Sequence, residues 1–216
     1  MQFPNAYKGI KKIFLGEILE IAAVVFTVVM AVLLMAYGVG TDADLADLTR
    51  EQALLLGGLS LGLLLVAGVL AVAGLIVSIV GVVQAKKDDS HFNAAFFTAL
   101  LSLVIGFIVS FLLKNAPQIH RWAGLGGSVC GIMTRFFILS GIASLAEKMV
   151  DGKVKAMAEK ARVIVCAVFI ASNLAGLLSD YMPDAVFLEY IGYALSVGSS
   201  VYYLTVLAKA KKMLAG

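Results

Sequence analysis

The sequence predicts an all-α, polytopic membrane protein: a six-transmembrane-helix bundle, N-in/C-in, forming one transmembrane domain over residues 1–216. Three observations predict it. Hydrophobic residues make up 61% of the chain and charged ones 14%, and the mean hydropathy is +0.98, which is more apolar surface than a soluble fold can bury. Six nearly uncharged stretches are long enough to cross a hydrocarbon core of about 30 Å, a crossing that takes about 20 helical residues. Lysine and arginine also fall mostly on one side of the layer those stretches define, as the positive-inside rule expects.

The first span, 14–38, is too long for the core of a cleavable signal and no small-residue cleavage site follows it. The second, 53–85, exceeds the membrane thickness, so it must tilt or project. It carries Ala67, Ala71, Gly74, Ser78, Gly81 and Ala85 at alternating steps of four and three, one continuous stripe. Such a stripe lets backbones approach where lipid offers no hydrophobic contrast. The third span, 92–113, has a weaker version in Ala95, Ala99, Ser102 and Gly106, so these two helices read as scaffold. The fourth, 123–146, carries Gly124, Ser128, Gly131 and then Arg135 on one face, within "GGSVCGIMTRFFILSG". The fifth, 163–179, is short and bounded by Arg162 and Asp180, and the sixth covers 185–208. None alternates as the strands of a membrane barrel do.

Orientation follows from the cations. Lys8, Lys11, Lys12, Lys86, Lys87, Lys148, Lys153, Lys155, Lys160, Arg162, Lys209, Lys211 and Lys212 lie on one side, thirteen of the 17. Only Arg50, Lys114 and Arg121 lie on the other, beside the acidic residues Asp42, Asp44, Asp47, Glu51, Asp180 and Asp184. Both termini are therefore expected in the cytoplasm and the chain in the plasma (inner) membrane. The lysine-rich stretches "YKGIKKIF" and "DGKVKAMAEKAR" can also rest on anionic headgroups.

Several function classes drop out. The net charge of +3 is an orientation pattern, not a basic soluble face, so nucleic acid is not a partner. There is no HExxH, no GxSxG and no phosphate-binding lysine loop, so no enzyme activity and no cofactor are assigned. His91 and His120 sit at opposite ends of the third span and its following loop, too far apart to share a metal. Cys130 and Cys166 differ in depth and read as small packing residues, not a disulfide.

What remains is polar. The fifth span places Arg162, Cys166, Phe169, Asn173, Gly176 and Asp180 on one face, and the sixth places Glu189, Tyr193, Ser196, Ser200 and Tyr203 on another. Polar faces inside hydrocarbon must turn toward protein or water. Arg135 stands on the close-packed face of its helix, and a central arginine costs about 2.5 to 3.5 kcal/mol, so it needs a partner or a hydrated space. At 1.5 Å per residue, Glu20 lies about 10 Å from the inner end of its span and Arg135 about 16 Å from the inner end of its own, which makes Glu20 the first candidate partner and Glu189 the second.

Two readings follow. In one, Arg135, Asn173, Glu189, Tyr193, Ser196 and Ser200 line a pocket for an anionic or zwitterionic small solute, with Glu20 as the charge partner. In the other, Arg135 and a glutamate form a structural pair and the chain is a non-catalytic membrane interaction or assembly protein. In size, span number and the placement of both ends, the chain is similar to the small substrate-capturing membrane subunits of energy-coupling vitamin transporters. That resemblance, one of architecture without a shared motif, implies a solute-binding chain working with energising partner subunits. Its other expected partners are the lipid bilayer and a second copy in a homo-oligomer.

Overall fold

A computed structural model of the protein describes residues 2–36, 50–111, 117–181 and 187–216. They form six α-helices and, among the described residues, no strand: α1 (Pro4–Ala36), α2 (Arg50–Ala85), α3 (His91–Phe111), α4 (Pro117–Lys148), α5 (Gly152–Tyr181) and α6 (Phe187–Ala215). Among the described residues, four stretches of helix are long and apolar enough to cross a membrane: Pro4–Leu33, Gly57–Ala85, His91–Val109 and Leu125–Lys148. The acidic residues Asp42, Asp44, Asp47 and Asp184 lie outside the described residues.

The helices run past the apolar stretches that the sequence marks. α1 starts ten residues earlier than the first span, at Pro4, a residue whose fixed φ and missing N–H suit the first helical position. α5 starts at Gly152 rather than near Val163, so its lysine-rich segment is helical. Its start is set by Asp151, whose Oδ1 accepts from the N–H groups of Lys153 and Val154, each at 3.1 Å. Asp151 also ends α4: its N–H reaches the carbonyl of Ala146 at 2.9 Å while that of Val150 reaches Glu147 at 3.1 Å. Val150 takes the left-handed conformation (φ 59°) that this termination requires. One aspartate thus closes one helix and opens the next, and α4 packs back along α5.

The chain divides into two compact units, residues 1–13 with 79–216 and residues 14–78. In the larger unit α3 packs along α4, α4 along α5 and α5 along α6. Its fully buried side chains include Ile10, Phe92, Leu139, Ile142, Leu207 and Leu214, all near the lysine-rich helix ends. Large apolar residues farther along the helices, such as Phe97, Phe107, Ile170 and Val197, are exposed. An exposed apolar surface of this extent is what lipid covers.

Glycine sets the closest approaches. In the larger unit, a Cβ on Gly81 of α2 would stand 2.6 Å from the carbonyl oxygen of Gly9 in α1, and one on Gly9 would meet Ala85 Cβ at 2.8 Å. A Cβ on Gly141 of α4 would enter the ring of Phe92 in α3. In the second unit, Gly16 of α1 faces Gly74 and Ser78 of α2, and a Cβ on Gly74 would stand 2.8 Å from the Gly16 carbonyl. From Gly74 to Ala85 the α2 stripe expected from sequence is thus a packing face, with Gly9 and Gly16 opposite it, whereas Ala71 of the same stripe is exposed. Gly58 and Gly62, by contrast, face open space.

That contrast is testable by unfolding in detergent micelles. Gly81→Ala should destabilise by about 1 to 2 kcal/mol, because overpacking of roughly 1 to 3 kcal/mol outweighs the gain of up to about 1 kcal/mol from alanine's helix propensity. Gly62→Ala, with nothing to strike, should be neutral or stabilising; equal effects at the two positions would refute the close approach.

Candidate functional site

Arg135 lies well inside α4, half-buried, within an otherwise uncharged run of the helix. Its guanidinium carbon stands 5.5 Å from the ring centroid of Tyr203 in α6, a cation–π distance. Tyr203 is fully buried. The contact joins the two features that sequence singled out separately, because Tyr203 is the C-terminal end of the α6 stripe that continues through Ser200 and Ser196 at steps of three and four. Ser200 is half-buried and Ser196 exposed.

The facing helix supplies a residue the sequence stripe did not contain. Ser172 of α5 donates to the carbonyl of Gly192 at 3.2 Å and shares a hydrogen bond with Ser196 Oγ at 3.2 Å. A Cβ at Gly192 would sit 3.7 Å from Ser172 Cα, an ordinary packing distance, so the contact does not require glycine. Asn173, the neighbour that was singled out, turns its amide to its own helix, Nδ2 to Phe169 O at 2.8 Å. The face meeting α6 is therefore one residue out of step with the polar periodicity. The side chains of Glu189 and Tyr193 lie outside the described residues. Glu20 belongs to the second unit, where its Cγ would lie 3.0 Å from a Cβ on Gly74.

The fourth helix meets the third through hydroxyls. Thr134 donates to Cys130 O at 2.9 Å and bonds Thr98 Oγ1 at 3.0 Å, and Ser102 donates to Gly127 O at 3.0 Å. Arg135 is adjacent to Thr134 in sequence but turned about 100° around the helix, so α4 presents hydroxyl contacts to α3 and its cation to α6.

A second polar cluster, at the turn between α2 and α3, was not anticipated. Asp88 accepts from Asn5 Nδ2 at 2.9 Å and from the Ala6 N–H at 2.7 Å, placing a carboxylate on the first turn of α1, where free N–H groups and the helix dipole favour an anion. Asp89, its side chain 2% exposed, opens α3 by accepting from the His91 N–H at 3.0 Å. The same carboxylate takes the His91 ring at 2.8 Å, Ser144 Oγ at 2.7 Å and Lys148 Nζ at 2.8 Å. Burial raises the Asp89 pKa, but the hydrogen bonds from Lys148, Ser144 and His91 outweigh it and bring the carboxyl to about 2. The sequence did hold a cue: "DDSH" places Asp and Ser directly before an apolar helix, the usual composition of a helix start. Nothing local to it pointed to Lys148.

No ligand-shaped group of three or more His, Cys, Asp or Glu able to hold a metal occurs among the described residues. Cys130 and Cys166 are free thiols, each half-buried. The chain matches no family model, no curated protein and no solved structure. The site therefore rests on its own geometry.

The Asp89 cluster makes stability depend on acid. A carboxylate held below its unfolded value contributes stability that is complete above that value, near 4, and lost as pH falls toward 2. Asp89→Asn should therefore unfold more easily at neutral pH, and the gap to the native protein should close between about pH 4 and pH 2. A gap that stays constant across that window, measured by micelle unfolding against pH, would show that the cluster does not hold the charge.

Proposed function

We propose that this integral membrane protein is a small-solute transporter, or the solute-binding membrane subunit of one. Six spans with both termini cytoplasmic in the plasma (inner) membrane are the matching topology. The solute class is anionic or zwitterionic. The observation that carries the reading is the meeting of Arg135 with Tyr203, because it sets a cation at the end of a line of α6 hydroxyls, Ser200 and Ser196. A guanidinium in a low-dielectric setting attracts a carboxylate or phosphate strongly, and hydroxyls can accept or donate along the approach. Asn173, Glu189 and Tyr193 complete the proposed lining. With no ATP-binding motif in the sequence, energy comes from partner subunits or from an ion gradient.

A second reading has its own observation. Ser172 already spends its hydroxyl on Gly192 and Ser196, which is how polar groups join membrane helices without any solute. In that reading the chain is an interaction or assembly protein and Arg135 is a structural cation.

The two separate by charge-selective labelling. With Cys130 and Cys166 replaced by alanine and a single cysteine at Ser196, an anionic membrane-impermeant thiol reagent should react faster than a cationic one of the same size. Arg135→Gln should abolish that preference. No reaction with either reagent in folded protein would mean the stripe is packed shut and would favour the structural reading.

A further inference from the structure

We propose that Arg162 is a binding site for the phosphodiester of a membrane phospholipid, at the boundary where α5 passes from water into the bilayer.

The argument starts from an imbalance along the seam between α4 and α5. Lys155 of α5 pairs with Glu147 of α4 at 2.9 Å. Seven residues farther along each helix, about 10 Å at 1.5 Å per residue, the equivalent position on α5 is Arg162 and the equivalent on α4 is Ser140. Arg162 Nη1 donates to Ser140 Oγ at 3.2 Å, and the serine hydroxyl itself donates to Phe136 O at 2.9 Å. A lysine is thus matched with a carboxylate on one rung and an arginine with a neutral hydroxyl on the next. Among the described residues no carboxylate lies within ion-pair distance of Arg162. A guanidinium has five donors in a planar fork that fits two oxygens of a phosphate, and this one spends a single donor on a neutral oxygen. Its carbon stands 5.6 Å from the centroid of the Phe136 ring, so one face is occupied by an aromatic while the edge donors stay free to point elsewhere.

The surroundings identify the anion. On the helix surface before Arg162 the exposed residues include Lys153, Glu159 and Lys160. Beyond it, through Leu174, every exposed residue is apolar: Val163, Ala167, Ile170, Ala171 and Leu174. Four of these, 163, 167, 170 and 174, recur at steps of four, three and four and form one stripe. A change from charged to apolar exposure marks the edge of the hydrocarbon. Headgroup phosphates lie at that edge, and acyl chains lie along such a stripe. A free phosphate would gain nothing from Val163 (70% exposed) and Ile170 (58% exposed), whereas a lipid covers them. Arginine, rather than the lysine used at most other basic positions of this chain, is the side chain suited to two-point phosphate contact.

The site does not involve Arg135, so it is distinct from the solute site, but it rests on α5 being one of the six proposed spans. The test uses the full-length protein purified in a neutral detergent, with lipid retention followed by native mass spectrometry and thermal stability. Phosphatidylglycerol should bind and raise the melting temperature, while diacylglycerol of the same chains and inorganic phosphate should do neither. Arg162→Gln should weaken phosphatidylglycerol binding about tenfold, the loss expected for a charge-assisted hydrogen-bond pair, while Arg162→Lys keeps part and Lys160→Gln nearly all of it. Ser140→Asp gives the guanidinium an internal carboxylate, so it should suppress lipid binding and raise stability without lipid, and it keeps the proposal testable if Arg162→Gln does not fold. Undiminished lipid binding in Arg162→Gln or Ser140→Asp overturns the proposal, and an equal response to inorganic phosphate overturns the lipid assignment in favour of a soluble anion.

Discussion

Two neighbouring carboxylates, Asp88 and Asp89, hold the lysine-rich ends of the larger unit together. Asp88 sits on the first turn of α1, while Asp89 opens α3 and binds Ser144 and Lys148 in the last turns of α4. A five-residue turn, 86–90, thereby fixes three helix ends at once. The Ala6 and His91 N–H groups are free donors at helix starts, and the buried Asp89 carboxylate has its charge met by Lys148 and Ser144. Asp151 repeats the device between α4 and α5. The fully buried core lies beside these capped ends, and the helices grow more exposed and more apolar away from them.

The packing rules differ from those of a soluble bundle for a physical reason. Apolar contact gains little when the alternative is lipid, so helices associate where backbones can come close and where hydroxyls can bridge. Gly9 with Gly81 and Gly16 with Gly74 are the first kind; Thr98 with Thr134, and Ser172 with Ser196, are the second. The exposed valines, leucines and phenylalanines are the complement of that arrangement, not a defect of it.

Sequence reading found the elements that depend on composition and period. Helix count, the small stripe of α2 and the inward position of Arg135 all follow from local patterns. It placed the polar face of α5 on Asn173, where the structure uses Ser172, because a polar residue at helical spacing can satisfy itself on its own backbone, as Asn173 does with Phe169. It passed over Asp88 and Asp89 because charges in a short turn between spans read as ordinary solvated loop residues. Their partners, Asn5, Ala6, Ser144 and Lys148, are more than fifty positions away, a distance at which one sequence carries no pairing information. Arg162 is legible in the sequence as an orientation charge, as the start of the α5 polar face and as part of a stretch able to rest on headgroups; the neutral partner opposite it is what sets it apart from the lysines around it.

Arg135 over Tyr203 and Arg162 over Phe136 show how this protein keeps guanidinium groups near its apolar surfaces, with an aromatic ring beneath each. Both depend on α4 being held in register with α5 and α6, and that register begins at the capped ends. Amide hydrogen exchange in micelles tests the dependence most directly, comparing the native protein with Asp88→Asn and Asp89→Asn. The account predicts that Asp88→Asn speeds exchange in the first turns of α1 alone, and that Asp89→Asn speeds it together at the start of α3 and the end of α4. Unchanged protection at those three helix ends would contradict it.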